Sequence, residues 1–251
     1  MNSKQTIFIT SIFVACGLQL VSAQAVAQSD NDPAWSITPY IWASDTRLDL
    51  AFRDTDIGGT EIKFSDAIST IDAAFMLHAE RGGKGNWSAF ADLIYLKTSD
   101  TSERDLLTVD AQNKQTAIDV AVAYWPAGFG SRLNVFGGLR YSGFDDRYAF
   151  SRNDSPIAER RSSKDYYDAL LGFRYRVDLT ERWAFLTHAD ASFGDSEGTY
   201  LVRANFAYTV GRRQQNRIVF GYQYKEAEYR DSDLTTDFSI EGPMAGFNFR
   251  F

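Results

Sequence analysis

From about residue 35 onward, apolar and polar residues alternate with period two, the spacing of a strand with one apolar face. Thr116 to Tyr124 sets Ile118, Val120, Val122 and Tyr124 against Asp119, Ala121 and Ala123. Leu133, Val135, Leu139 and Tyr141 oppose Asn134, Arg140 and Ser142; Tyr167, Leu171, Phe173 and Tyr175 oppose Asp168, Arg174 and Arg176. The same phase separates Trp183, Phe185 and Phe193 from His188, Asp190 and Ser192. It also separates Tyr200, Val202, Phe206 and Tyr208 from Arg203 and Asn205. Counting back from the C-terminus, the predicted spans lie near 237–251, 216–230, 199–211, 182–194, 165–178, 132–148, 115–126, 86–98 and 71–82, with a first near Trp35.

Alternation alone fits a soluble sandwich as well as a membrane barrel. Three features separate the two. The apolar faces begin or end in aromatics (Trp87, Tyr95, Tyr124, Tyr141, Tyr167, Tyr175, Trp183, Tyr200 and Tyr208), and rings with a polar edge favour the lipid–water boundary. The opposite faces carry charges and glycines. Short connections (82–85, 127–131, 180–181, 211–216) alternate mostly with longer ones (99–114, 149–164, 230–236), as periplasmic turns alternate with external loops. The predicted fold class is therefore all-β: a closed antiparallel up-and-down transmembrane β-barrel of ten strands.

Residues 35–65 leave the count open. The apolar phase is odd at Trp35, Ile37 and Ile41 but even at Leu48, Leu50 and Phe52. A one-residue slip exchanges the two faces of a strand, so either a bulge lies near 44–47 or the chain turns there and twelve strands result. Ser65 is the expected N-cap of a single helical turn at 65–70.

The N-terminus changes the picture from a β-protein to an exported one. Lys4 precedes an apolar run from Ile7 to Val21 and small residues ending at Ala25-Val26-Ala27, the pattern of a cleavable export signal. The run is shorter than the ~20 residues of a spanning helix. The expected domains are a signal peptide over 1–27 and a barrel over 28–251. The only cysteine, Cys16, falls within the signal, so the mature chain has neither a disulfide nor a thiolate site. Loss of one Lys takes the net charge from −7 to −8, a poor match to nucleic acid.

Thr38-Pro39-Tyr40-Ile41-Trp42-Ala43, Phe64-Ser65-Asp66-Ala67-Ile68, the stretch from Ile71 to Glu80 and that from Trp87 to Leu96 resemble a widespread group of uncharacterised proteobacterial outer-membrane β-barrel proteins, small and porin-like. These pieces cover about the first third of the mature chain. The resemblance implies fold and location, and no activity. The ending Gly246-Phe247-Asn248-Phe249-Arg250-Phe251 is similar to the closing-strand signal read by the barrel-assembly machinery, with Gly246, Phe247, Phe249 and Phe251 as its elements. Met244 stands where that pattern expects a polar residue.

By alternation the lumen receives His78, Glu80, Asp92, Asp119, Arg140, Asp168, Arg174, Arg176, His188, Asp190, Arg203 and Lys225, and Asp72 with them. Charges of both signs fit a narrow channel that sorts small polar or anionic solutes. They equally fit a lumen filled by Arg–carboxylate pairs in a structural envelope protein. The alternatives are a lipid- or lipopolysaccharide-modifying enzyme and a loop-mediated adhesin or receptor. His188 and Ser192 lie ~13 Å apart along an extended strand, too far for a base and its nucleophile. No enzyme activity, cofactor or metal is therefore expected. The expected partners are outer-membrane lipid and lipopolysaccharide, whose divalent cations suit Asp100, Glu103, Asp105, Asp231, Asp233 and Asp237. The protein is expected to be a monomer.

Overall fold

A computed structural model describes residues 35–251 apart from 54, 83–84, 105–106, 154, 212–215 and 232–233. The signal segment, Asp105 and Asp233 lie outside the described residues. In chain order the strands are β1 (Trp35–Trp42), β2 (Asp45–Phe52), β3 (Thr55–Ile62), β4 (Ile71–Gly82), β5 (Trp87–Arg104), β6 (Leu107–Tyr124), β7 (Leu133–Arg152), β8 (Ser155–Asp178), β9 (Trp183–Gly194), β10 (Gly198–Val210), β11 (Asn216–Asp231) and β12 (Leu234–Arg250). A short helix, α1 (Phe64–Ala67), and a 3-10 turn at Ile68–Thr70 join β3 to β4.

All neighbours are antiparallel, and β1 closes the cylinder by pairing with β12 from Ser36↔Arg250 to Trp42↔Met244. The other edge of β1 meets β4. The result is a closed barrel of ten strands. β2 adds no wall position, because it continues past β1 along the upper half of β12, from Glu241↔Asp45 to Leu234↔Phe52. β3 folds back on β2 as a hairpin. The ten-strand expectation holds, and the two extra strands of the alternative exist as an extension above the ring.

The bulge or turn expected near 44–47 does not change faces. Even-numbered residues stay inward from Ser36 through Trp42 to Thr46 and Leu48. Leu48 and Leu50 are apolar because the lumen itself is apolar at that height, so the phase switch marks a change of interior. Ser65 is not the N-cap of α1: Lys63 holds that position, and the Asp45 carboxylate accepts the Phe64 N–H at 2.8 Å. A carboxylate from a neighbouring strand serves the helix N-terminus as well as a local hydroxyl would.

The longer connections are not loops. β5 and β6 stay paired from Trp87↔Tyr124 up to Arg104↔Leu107, and β7 and β8 up to Arg152↔Ser155. Ladder hydrogen bonds are indifferent to side-chain polarity. Above the lipid both faces are wet, so no apolar alternation announces these strands. Short turns gather at the opposite end, where Gly128 and Gly130 take the positive φ that a side chain disfavours.

The outer surface is a belt of exposed apolar residues, with Ile41 at 70 %, Leu171 at 66 % and Val202 at 57 % exposure. In a soluble fold that much contiguous apolar surface would be an association liability. Trp87–Tyr124 (4.9 Å) and Trp183–Tyr208 (4.8 Å) edge the belt at the short-turn end; Tyr141–Tyr167 (5.2 Å) and Phe193–Tyr200 (6.0 Å) edge it at the other. Tyr175 lies eight residues beyond Tyr167, ~26 Å along the strand at ~3.3 Å per residue, which at the ~40° tilt of such barrels is ~20 Å of height, most of their ~25 Å apolar band. Phe249 and Phe251 are exposed on this outer face, and Gly246 sits where a Cβ would meet that of inward-facing Tyr40 at 2.7 Å.

Candidate functional site: a two-layered lumen

The lumen is built from alternate residues of every wall strand, and it divides by height. In the half nearer the short turns, charged side chains tie strand to strand along the wall, and one pair ties opposite walls. Arg140 on β7 grips Asp119 on β6 through Nε and Nη2 at 2.9 and 3.0 Å, and reaches Asp190 on β9 at 3.0 Å. Its Nη1 donates to Ser192 at 3.4 Å. Arg174 crosses from β8 to Glu80 on β4 with both Nη atoms, at 3.2 and 3.3 Å, and gives Nε to Asn134. The same guanidinium lies over the rings of Phe90, Phe136 and Trp125, at 4.6, 5.5 and 5.8 Å from their centres. A planar fork satisfied at its edges and stacked on its faces keeps its charge out of water.

The remaining polar groups join this framework. His78 contacts Asp92 through Nδ1 at 2.8 Å, while its Nε2 lies 3.7 Å from Glu80, beyond hydrogen-bond reach. His188 contacts Asp190 at 2.6 Å. Asp168 accepts from Ser192 and from both the hydroxyl and the backbone N–H of Ser196. Arg176 pairs with Asp178 at the mouth. Arg203 gives Nε to Gln223 at 2.7 Å, and its two Nη atoms have no hydrogen-bond partner among the described residues. Lys225 has no ion pair among the described residues, although Asp119, Asp168 and Asp190 surround it electrostatically. All twelve side chains read from alternation point inward and are buried.

Asp72 does not belong with them. The β4–β5 register shifts between Ile71 and Ala73, which turns Asp72 outward to pair with Lys97 at 2.8 Å and accept from Ser99 at 2.7 Å. The signal missed was the bulge, invisible where short residues flank it.

Above the charged layer the lumen is apolar, which alternation did not anticipate. Tyr40, Trp42, Leu48, Met76, Ile94, Leu96, Tyr229, Phe238, Ile240 and Met244 form one buried cluster with Ala67 of α1, flanked by Phe144 and Tyr166. Tyr229 is its hub, 4.5 Å from Tyr166 and 5.6 Å from both Phe144 and Phe238. The even-phase apolar residues Leu48 and Leu50 were a visible trace of this layer. At the opposite end the turn after β6 tucks Phe129 beside Trp125, 5.6 Å between rings. Ser192, the only serine near a histidine on β9, is engaged by Asp168 and Arg140 while His188 is engaged by Asp190.

Closed antiparallel wall, lipid-height apolar belt and paired aromatic girdles define a transmembrane β-barrel of the outer-membrane type, the fold that the resemblance implied. No family model and no curated protein matches the chain. Among solved structures, the translocator domain of the autotransporter NalP from Neisseria meningitidis aligns at 11 % identity and a TM-score of 0.48, over 88 % of this chain and 90 % of that one. The outer membrane protease OmpT from Escherichia coli aligns at 10 % and 0.44, over 88 % and 97 %. Ail, the attachment invasion locus protein of Yersinia pestis, in complex with the heparin analogue sucrose octasulfate, aligns at 10 % and 0.41, over 87 % and 100 %. At a tenth identity no residue and no activity carries over.

Proposed function

We propose that this protein is a structural, resting-closed barrel of the Gram-negative outer membrane, with its short turns and both strand ends in the periplasm and its hairpins outside. The observation that carries this reading is the apolar layer around Tyr229, Trp42 and Ile240. It fills the lumen directly above the Arg174–Glu80 pair, which reaches across from β8 to β4. Rings and aliphatic chains in a narrow lumen offer a hydrated ion no replacement for its water shell. In this reading the protein is a monomer without catalytic function, inserted by the barrel-assembly machinery. The solute channel becomes the competing outcome of one measurement. Purified protein in a planar bilayer is expected to carry no current above the lipid background, and a steady ohmic current would reject the closed reading.

A second reading has its own support. The β5–β6 and β7–β8 hairpins are continuous ladders beyond the girdle, rigid enough to present a surface to a partner outside the cell. Trimming both hairpins back to the girdle is expected to leave the barrel intact. Loss of binding to host or lipopolysaccharide surfaces in the trimmed barrel would favour an adhesin or receptor role.

A further inference from the structure

Three arginines face the lumen at its periplasmic end, within electrostatic reach of one another: Arg176 from β8, Arg217 from β11 and Arg250 from β12. Arg217 is in register with Asn248. Arg250, two residues further along the same inward face, is therefore its diagonal neighbour, ~7–8 Å away for such a pair. Arg176 and Arg250 both act electrostatically on Arg217, and Arg176 acts on Arg250.

The acids nearby are already committed. Asp178 is held by Arg176 through Nε at 2.6 Å and Nη2 at 2.5 Å. Glu80, the acid that acts on Arg250, is gripped by both Nη atoms of Arg174. Arg217 is only 2 % exposed. Its Nε and Nη1, and Nη1 of Arg250, have no hydrogen-bond partner among the described residues. A buried cation with unmet donors is costly unless an anion joins it. Neither Arg217 nor Arg250 has an ion pair of its own among the described residues, and Asp178 is taken by Arg176. Donors that converge from separate strands suit a tetrahedral oxyanion better than a planar carboxylate, which one fork would grip.

We infer that the periplasmic mouth binds a phosphate-type anion, held by the free donors of Arg217 and Arg250 with Arg176 completing the positive wall. The inference rests on the orientation given under Proposed function. Its phosphate has two possible sources: a soluble phosphate or phosphomonoester of the periplasm, or the phosphate of an inner-leaflet lipid headgroup.

The test is calorimetric titration of the full-length barrel in non-ionic detergent, first with inorganic phosphate and separately with glycerophosphoglycerol as a headgroup probe. One equivalent of either is expected to bind. Arg217→Gln and Arg250→Gln should each weaken it at least tenfold, and Arg147→Gln, on an external hairpin, should leave it unchanged. Binding of inorganic phosphate assigns the soluble source; binding of the headgroup probe alone assigns the lipid. Two variants guard against misfolding of either one. No binding of either probe, or equal binding by wild type and both mouth variants, overturns the site. A barrel that binds phosphate but conducts would overturn the closed lumen and leave the site standing.

Discussion

Arg140 shows how strongly single residues are constrained in this lumen. Its guanidinium bridges Asp119 and Asp190 at once, so Arg140→Met strands two buried carboxylates. Removing one member of such a pair costs about 3–5 kcal/mol, and the midpoint of urea unfolding in detergent should fall accordingly. Arg140→Met combined with Asp119→Leu, Asp190→Leu and His188→Phe should recover most of that loss, because the fourth change removes the histidine that Asp190 satisfies and leaves only apolar groups in place of the network. Gly82 makes a different demand. A Cβ there would lie 2.2 Å from the Phe129 ring, so Gly82→Val should expel Phe129 from beneath the barrel, raising the accessibility of the 126–131 turn to protease. The inward position of Arg140 was legible from alternation alone. Its partners were not, since the β6–β7 register that sets Asp119 opposite it and the curvature that brings Asp190 to it across β8 are not written in the alternation.

At the scale of elements, the β7–β8 hairpin carries its own electrostatic fastening. Glu159 accepts from Arg147 at 2.9 Å and from Arg161 at 2.5 Å. Arg147 first, then Arg161, pulls the Glu159 carboxyl below the usual carboxylate range. A depressed acid contributes fully above its unfolded pKa and loses that contribution as pH falls through the folded value. The protection factors of amides in 145–152 and 155–163, with the intrinsic pH dependence of exchange divided out, should therefore fall in acid and be indifferent to a rise from pH 7 to 9. Glu159→Gln should remove the acid dependence. The pair is exposed, so its effect is on local fraying and salt will weaken it. The sequence disclosed the membrane halves of these strands and concealed the rest. Below the girdle, lipid on one face and lumen on the other impose period two; above it, water on both faces imposes nothing, and residues 99–114 and 149–164 read as loops. Leu48 and Leu50 misled in the converse way, because apolar residues face inward wherever the interior is apolar.

For the whole molecule, closure in two layers makes a prediction that neither layer makes alone. Trp42→Ala, Leu48→Ala and Ile240→Ala together should still leave bilayer current at background, because the Arg174–Glu80 tie crosses the lumen below. Adding Glu80→Ser and Arg174→Ser should produce steady current. A conducting triple variant would mean that the charged layer is wet and porous. Each deletion in the apolar layer should also cost about 2–5 kcal/mol, so unfolding reports the same residues independently. The residue pattern alone was enough to establish a ring of membrane strands and most of its inward side chains, Asp72 at the bulge excepted, because hydrocarbon and lumen alternate along each strand with the period of the backbone. Only the tertiary structure decided which charges meet, that a second, apolar interior lies above them, and that three arginines share one mouth. Those facts depend on register and on the height of each residue across a closed cylinder, and side chains far apart in sequence acquire a common height only when the last strand pairs with the first.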